Sequence, residues 1–172
     1  MDLYGNTKSQ HHACENHPVG QAMTSGSISA AAWADWLWAM RVIHLVVDPW
    51  VPTHMIRDRA FCADLESLPA AVPSAAALKF SADIVGAECF GAAYVLHGAH
   101  QSGGRVIAPK MAKRGLPTAH TCYQRPDQAR AWVKEARGWS EFTEQAKEAF
   151  RCLLAVMDEI HDRSRERREA TG

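Results

Sequence analysis

Short strings that assign a chemistry by themselves are missing from this chain. No GxGxxG or phosphate-binding loop follows a strand pattern, and neither HExxH nor GxSxG occurs, so nucleotide-binding, zinc-peptidase and serine-hydrolase readings have no anchor. CxxC pairs are absent as well. The five cysteines, Cys14, Cys62, Cys89, Cys122 and Cys152, are odd in number and widely spaced. That pattern supports neither a disulfide framework nor a thiolate zinc site, and it points to a reducing, cytoplasmic setting. Net charge is also lacking: 19 basic side chains cancel 19 acidic ones, with nine histidines neutral at pH 7. Nothing in that balance asks for a nucleic acid or an acidic membrane. The apolar run over residues 33–47 is interrupted by Asp35, Arg41 and His44, and the start MDLYGNTKSQHH is too polar for a signal peptide, so no membrane association is expected.

Sustained strand alternation is missing too, whereas helical spacing of apolar residues runs almost throughout. The expectation is an all-α chain whose residues 1–163 form one domain, followed by a charged, frayed tail over 164–172. Thr7 and Gln10 have capping-box spacing at the start of a first helix, which Pro18 ends or redirects. Ser29 is placed to cap a helix carrying Trp33, Trp36, Leu37, Met40, Ile43 and Val47, stopped by Pro49 and Pro52. A short amphipathic helix follows over 55–68, with Asp64 among its outward charges. One long helix is then expected over 74–111, a loop over 113–126, and helices over 127–137 and 140–163. The long helix contains Gly86, Gly91, Gly98, Gly103 and Gly104, each costing about 1 kcal/mol against alanine. Such a cost needs a reason.

Two segments carry candidate chemistry. In TKSQHHACEN (residues 7–16), His11 and Glu15 stand four apart on a helix, so the carboxylate can hold one ring nitrogen while the other binds a metal. His12 is expected to point away from that face, and Cys14 reads as a small buried filler. The alternative is a pair of ordinary surface histidines. In YVLHGAHQSGGRVIA (residues 94–108), Gly103 and Gly104 expose backbone that a flat ligand can approach, with Ser102 beside them and His97 and His100 three apart. There the competing reading is close helix packing or a kink. Taken together, the two segments fit a haem between helices.

These residues resemble the haem oxygenase family over most of the chain. TKSQHHACEN is similar to its proximal helix, Gly26-Ser27-Ile28-Ser29 with Trp33 and Trp36-Leu37 to its turn and aromatic helix, RAFCADLESL (59–68) to the short helix before the distal one, YVLHGAHQSGGRV to the distal helix, and EQAKEAFRCLLAVMDEI (144–160) to the final helix. The resemblance implies a single-domain helical bundle with haem between a proximal N-terminal helix and a kinked, glycine-bearing distal helix. Haem would be both cofactor and substrate. Dioxygen and electrons from an external donor, such as ferredoxin or a flavin reductase, would open it to biliverdin with release of carbon monoxide and ferrous iron. His11 takes the proximal-ligand position and Glu15 its partner's. Lys8, Arg130, Lys134 and Arg137 fall where the family places cations for the propionates, and Tyr94 matches a tyrosine near them.

The match fails at two positions. Ala99 stands where glycine is usual, and His100 where many members carry an aspartate that orders distal water. An imidazole there can imitate the aspartate or bind iron as a sixth ligand, which leaves two readings besides the oxygenase: a non-degrading bis-histidine haem carrier or sensor, and a non-haem di-iron oxidase using Glu15, His44, Glu88 and His161.

Overall fold

The computed structural model describes residues 2–170. Among these there is no strand: the chain folds into eight α-helices, α1 (Leu3–Asn16), α2 (Pro18–Ser25), α3 (Ala30–Val47), α4 (Asp58–Glu66), α5 (Ala75–Ile84), α6 (Phe90–Ala112), α7 (Pro126–Ala136) and α8 (Thr143–Glu169), with short 3-10 turns between several of them. The last two residues of the expected tail, Thr171 and Gly172, lie outside the described residues.

Caps decide where most helices begin. Asp2 caps α1 by accepting from the Gly5 amide at 2.8 Å, five residues earlier in the chain than Thr7, the capping residue expected. Thr7 is instead buried inside α1, where its hydroxyl donates to the Leu3 carbonyl at 2.7 Å. His17 caps α2 through Nδ1, with Pro18 in the first turn, where its missing N–H costs nothing. Ser29 caps α3 and Ser74 caps α5, each accepting from the amide three residues on.

The expected 74–111 helix is two helices. At Gly86 the backbone turns left-handed (φ +77°), which ends α5 and lets α6 leave at a new angle. Within α6 the glycine at 91 has a packing cause: a Cβ there would stand 2.3 Å from the Phe142 carbonyl and 2.8 Å from the Ala146 amide. Only a bare α-carbon lets α6 meet the start of α8.

α8 is the spine. α1 runs beside it in the same sense, since Asn6 bonds Thr143, the His11 ring packs edge-on to Phe150 and His17 bonds Asp158. α6 packs along another side of α8. Its inward face, Ala146, Ala149, Phe150, Leu153, Val156, Met157 and Ile160, meets the buried stripe of α3, Trp33, Leu37, Met40, Ile43 and Val47. Each such large side chain contributes roughly 1.5–3 kcal/mol by leaving water.

α3 is the one described helix long and apolar enough to cross a membrane, but most of it is buried inside the bundle. Its Asp35 is fully buried, accepts from the Val72 amide at 2.7 Å and meets Arg167 at 3.1 Å and Arg163 at 3.3 Å. The tail expected to fray from residue 164 is therefore helical to Glu169, because arginines on it neutralise an acid in the core.

Candidate functional site

His11 sits on α1 with its side chain 40% exposed. Its Nδ1 is covered and makes no hydrogen bond; the nearest carboxylate is Glu15, at 3.5 Å. Glu15 Oε2 lies closer, 3.0 Å, to Nδ1 of His12, so the neighbour expected to point away shares the same carboxylate. Among the described residues nothing bonds Nε2 of His11, and the ring is braced edge-on by Tyr4 and Phe150. Cys14 is buried beneath it, and burial pushes its thiol up to about 12.

α6 presents two faces. Ala99, Ser102 and Val106 are exposed and Gly103 half-exposed, all on one face by helical spacing. A Cβ on Gly103 would meet only its own Ile107 side chain, at 3.9 Å, so this stretch of backbone is open. Gly104 is different: it is buried, and a Cβ there would press Thr121 at 3.2 Å. The glycine pair thus serves two purposes, an open surface at 103 and close packing at 104. Lower on the helix, Tyr94 lies within the field of Tyr4, Asp2 and Arg137; burial is the main cause raising its phenol. Seven residues farther along each helix, about 10 Å by the helical rise, come His11 on α1 and the Ala99–Gly103 face on α6.

The other face of α6 holds a polar network that the sequence had not led us to expect. His44, Asp48, His97, His100, Arg57, Asp64 and His120 are all buried. Asp48 Oδ1 lies 2.7 Å from His44 Nδ1 and 3.1 Å from His97 Nε2, and its Oδ2 accepts from the Arg57 amide at 2.7 Å. His44 Nε2 is 2.9 Å from His100 Nε2, and His97 Nδ1 is 2.8 Å from the Tyr123 hydroxyl. Arg57 lies over the Tyr123 ring at 4.2 Å and donates to the carbonyls of Met55, Ile56 and Cys122. A second pair, His120 Nδ1 and Asp64 Oδ2 at 2.6 Å, stands beside it, with Phe61 stacked on His120. Asp64 is therefore not the outward charge read from the sequence.

Burial sets the protonation of these groups. It pulls His97 down to about 4 and His100 well below its ordinary value, and it lowers His120 despite Asp64. Burial also raises the Asp48 carboxyl, but the two imidazoles bonded to it outweigh that, and it stays below the usual carboxylate range. With Asp48 ionised it can only accept, so His44 Nδ1 and His97 Nε2 carry protons toward it. The neutral His97 ring then accepts at Nδ1 from Tyr123, and His44 Nε2 and His100 Nε2 share one hydrogen bond.

Two expectations are corrected here. His100 does not offer a sixth ligand toward α1: it turns inward, stacked on His44, with one nitrogen engaged. The di-iron set does not assemble either. His44 is in the interior network, Glu88 is exposed in the turn before α6, His161 packs against His17, and Glu15 stays with His11 and His12. Among the cations, Arg137 is placed at the α1–α6 border, bonded to Asp2 at 2.6 Å and over the Tyr4 ring at 4.6 Å. Arg130 pairs locally with Asp127, and Lys8 and Lys134 are exposed.

The missed network had a partial signal. His44 and Asp48 are four apart on an apolar helix, where two polar residues on one face need each other. The Asp64–His120 pair had none, because 56 residues separate its members.

The chain matches no protein-family model and no curated protein. Among solved structures it is similar to haem oxygenase-1 from the cyanobacterium Synechocystis, in complex with haem, with a TM-score of 0.77 at 13% identity over 98% of this chain and 95% of that one. It is also similar to haem oxygenase from Leptospira interrogans, with a TM-score of 0.70 at 17% identity over 94% of this chain and 100% of that one. At such identities the likeness establishes the fold, which is that of the haem oxygenases.

Proposed function

We propose that this chain binds haem between α1 and α6 and degrades it to biliverdin, carbon monoxide and ferrous iron, using dioxygen and electrons from a separate reductase. The carrying observation is His11, an imidazole on α1 with a free Nε2 and an unbonded Nδ1 turned toward a carboxylate, together with the open small-residue face that α6 carries at Gly103. These residues fit the group. Covered Nδ1 has no other partner, and Glu15, 3.5 Å away and bonded to His12, would fix the tautomer that frees Nε2 for iron on turning to His11. Gly103 leaves room for a ring plane against the backbone.

When bound, haem supplies the redox centre for dioxygen and the carbon framework that is cleaved; the protein supplies ligation, orientation and proton handling. His11 holds the iron from α1. Arg137 and Tyr94, with Lys8 nearby on α1, and Lys134 and Arg130 from α7, serve the propionates at the mouth. Ala99, Ser102 and Gly103 keep the opposite side low.

Haem titration tests this. The chain is expected to bind one equivalent with a Soret band typical of histidine ligation, and His11→Ala is expected to shift that band and weaken binding at least about tenfold. Ascorbate and air should then bleach the wild-type complex and yield biliverdin. An unchanged spectrum in His11→Ala overturns the axial assignment, and a stable Soret band under those conditions overturns turnover.

A further inference from the structure

We infer that the buried group His44, Asp48 and His97 is a binding site for a divalent first-row metal ion, separate from the α1–α6 groove. Nδ1 of His44, Oδ1 of Asp48 and Nε2 of His97 lie within 4.8 Å of one another, all buried, contributed by α3, the 3-10 turn that follows it and α6. Two imidazoles and one carboxylate form a donor set used for Zn(II), Fe(II), Co(II) and Mn(II).

Distance is the first argument. Metal–ligand bonds of about 2.1 Å at angles between square and tetrahedral put neighbouring donor atoms about 3.0–3.4 Å apart. Asp48 stands 2.7 Å from His44 and 3.1 Å from His97, so these two spacings need change by only a few tenths of an ångström, while the two imidazole nitrogens lie within 4.8 Å of each other.

The second argument is what lies behind each donor. Metal-binding histidines characteristically donate their other N–H to a fixed acceptor. Both do so here once the metal replaces the protons on the Asp48 side: His97 Nδ1–H then donates to the Tyr123 oxygen at 2.8 Å, and His44 Nε2–H to His100 Nε2 at 2.9 Å. The free oxygen of Asp48 already accepts from the Arg57 amide. The guanidinium of Arg57, the nearest cation, is occupied by three carbonyls.

The third is access. A cleft of about 160 Å³ opens against the site, lined by His44, Leu45, Asp48, Pro49, Ile56 and Asp58. With the His44 side chain fully covered and that of Asp48 only 5% exposed, an ion would enter by a small opening of this wall.

Cobalt(II) titration of the full-length, haem-free chain tests the site, in a His11→Ala/His12→Ala background that removes the exposed His11, His12 and Glu15 group. One equivalent should bind with visible ligand-field bands and raise the melting temperature, and EDTA should reverse both. Asp48→Asn, nearly the same shape, should weaken binding more than about 100-fold, and Tyr123→Phe about 10–100-fold. Absence of saturable one-equivalent binding in the background protein overturns the site, whatever the variants do. So does binding that Asp48→Asn leaves unchanged while the variant still melts cooperatively. Because no haem is present, neither result bears on His11.

Discussion

Burial controls reactivity one side chain at a time. The thiols of Cys14, Cys89 and Cys152 are all pushed up to about 12 by burial, whereas Cys122 is exposed. Alkylation near pH 8 is therefore expected to modify Cys122 at least about 100-fold faster than those three, as peptide mass spectrometry would show. His120 gives a pH dependence of definite sign. Its folded-state pKa is lowered, chiefly by burial, so the unfolded chain takes up this proton first on acidification. The stability it contributes is complete above about pH 6.5 and is lost as pH falls toward the folded value. NMR of the imidazole protons should show His120 titrating below the ordinary histidine value, and thermal melts should show stability declining below about 6.5. A ring that titrates at its ordinary value would refute this. Single residues were also what the sequence disclosed best. The nearness of His11 to Glu15 was visible through helical spacing, but not that His12 would share the carboxylate, and Cys14 is the small buried side chain expected. The inward turn of His100 was not, because its partner His44 lies 56 residues away.

At the level of helices, the glycines of α6 make opposite predictions from one substitution. Gly91→Ala puts a methyl into the Phe142 carbonyl and should destabilise by about 1–3 kcal/mol despite the gain in helix propensity. Gly103→Ala meets nothing but its own Ile107, so the haem-free protein should gain about 0.5–1 kcal/mol while its haem affinity falls. Urea melts of the two variants, with a haem titration of the second, check both signs. Most helices were legible because their apolar stripes repeat at helical spacing and serines stand at two of the starts. Boundaries set by local geometry were harder to read. The 74–111 segment reads as continuous because its composition hardly changes, yet the left-handed backbone at Gly86 breaks it. Asp2 took the capping role assigned to Thr7, since a helix begins at the first residue able to satisfy its free amides.

Across the whole molecule, α8 is the surface on which α1, α3 and α6 all rest, and Asp35 ties its far end to the core. Removing both Arg163 and Arg167 leaves a fully buried carboxylate without its cations, a change expected to cost about 3–5 kcal/mol. Replacing Asp35 along with them by apolar residues should recover most of that loss. Chemical denaturation of the double and triple variants separates the two. The sequence showed α8 as amphipathic but let its last turns fray, because charge alone looks solvated until a buried partner is known. Order of synthesis gives this tie a further meaning. Asp35 leaves the ribosome 132 residues before Arg167 does. Until α8 has been made, α3 holds a buried acid without its cations, so the packing of α3 cannot close before α8 is in place.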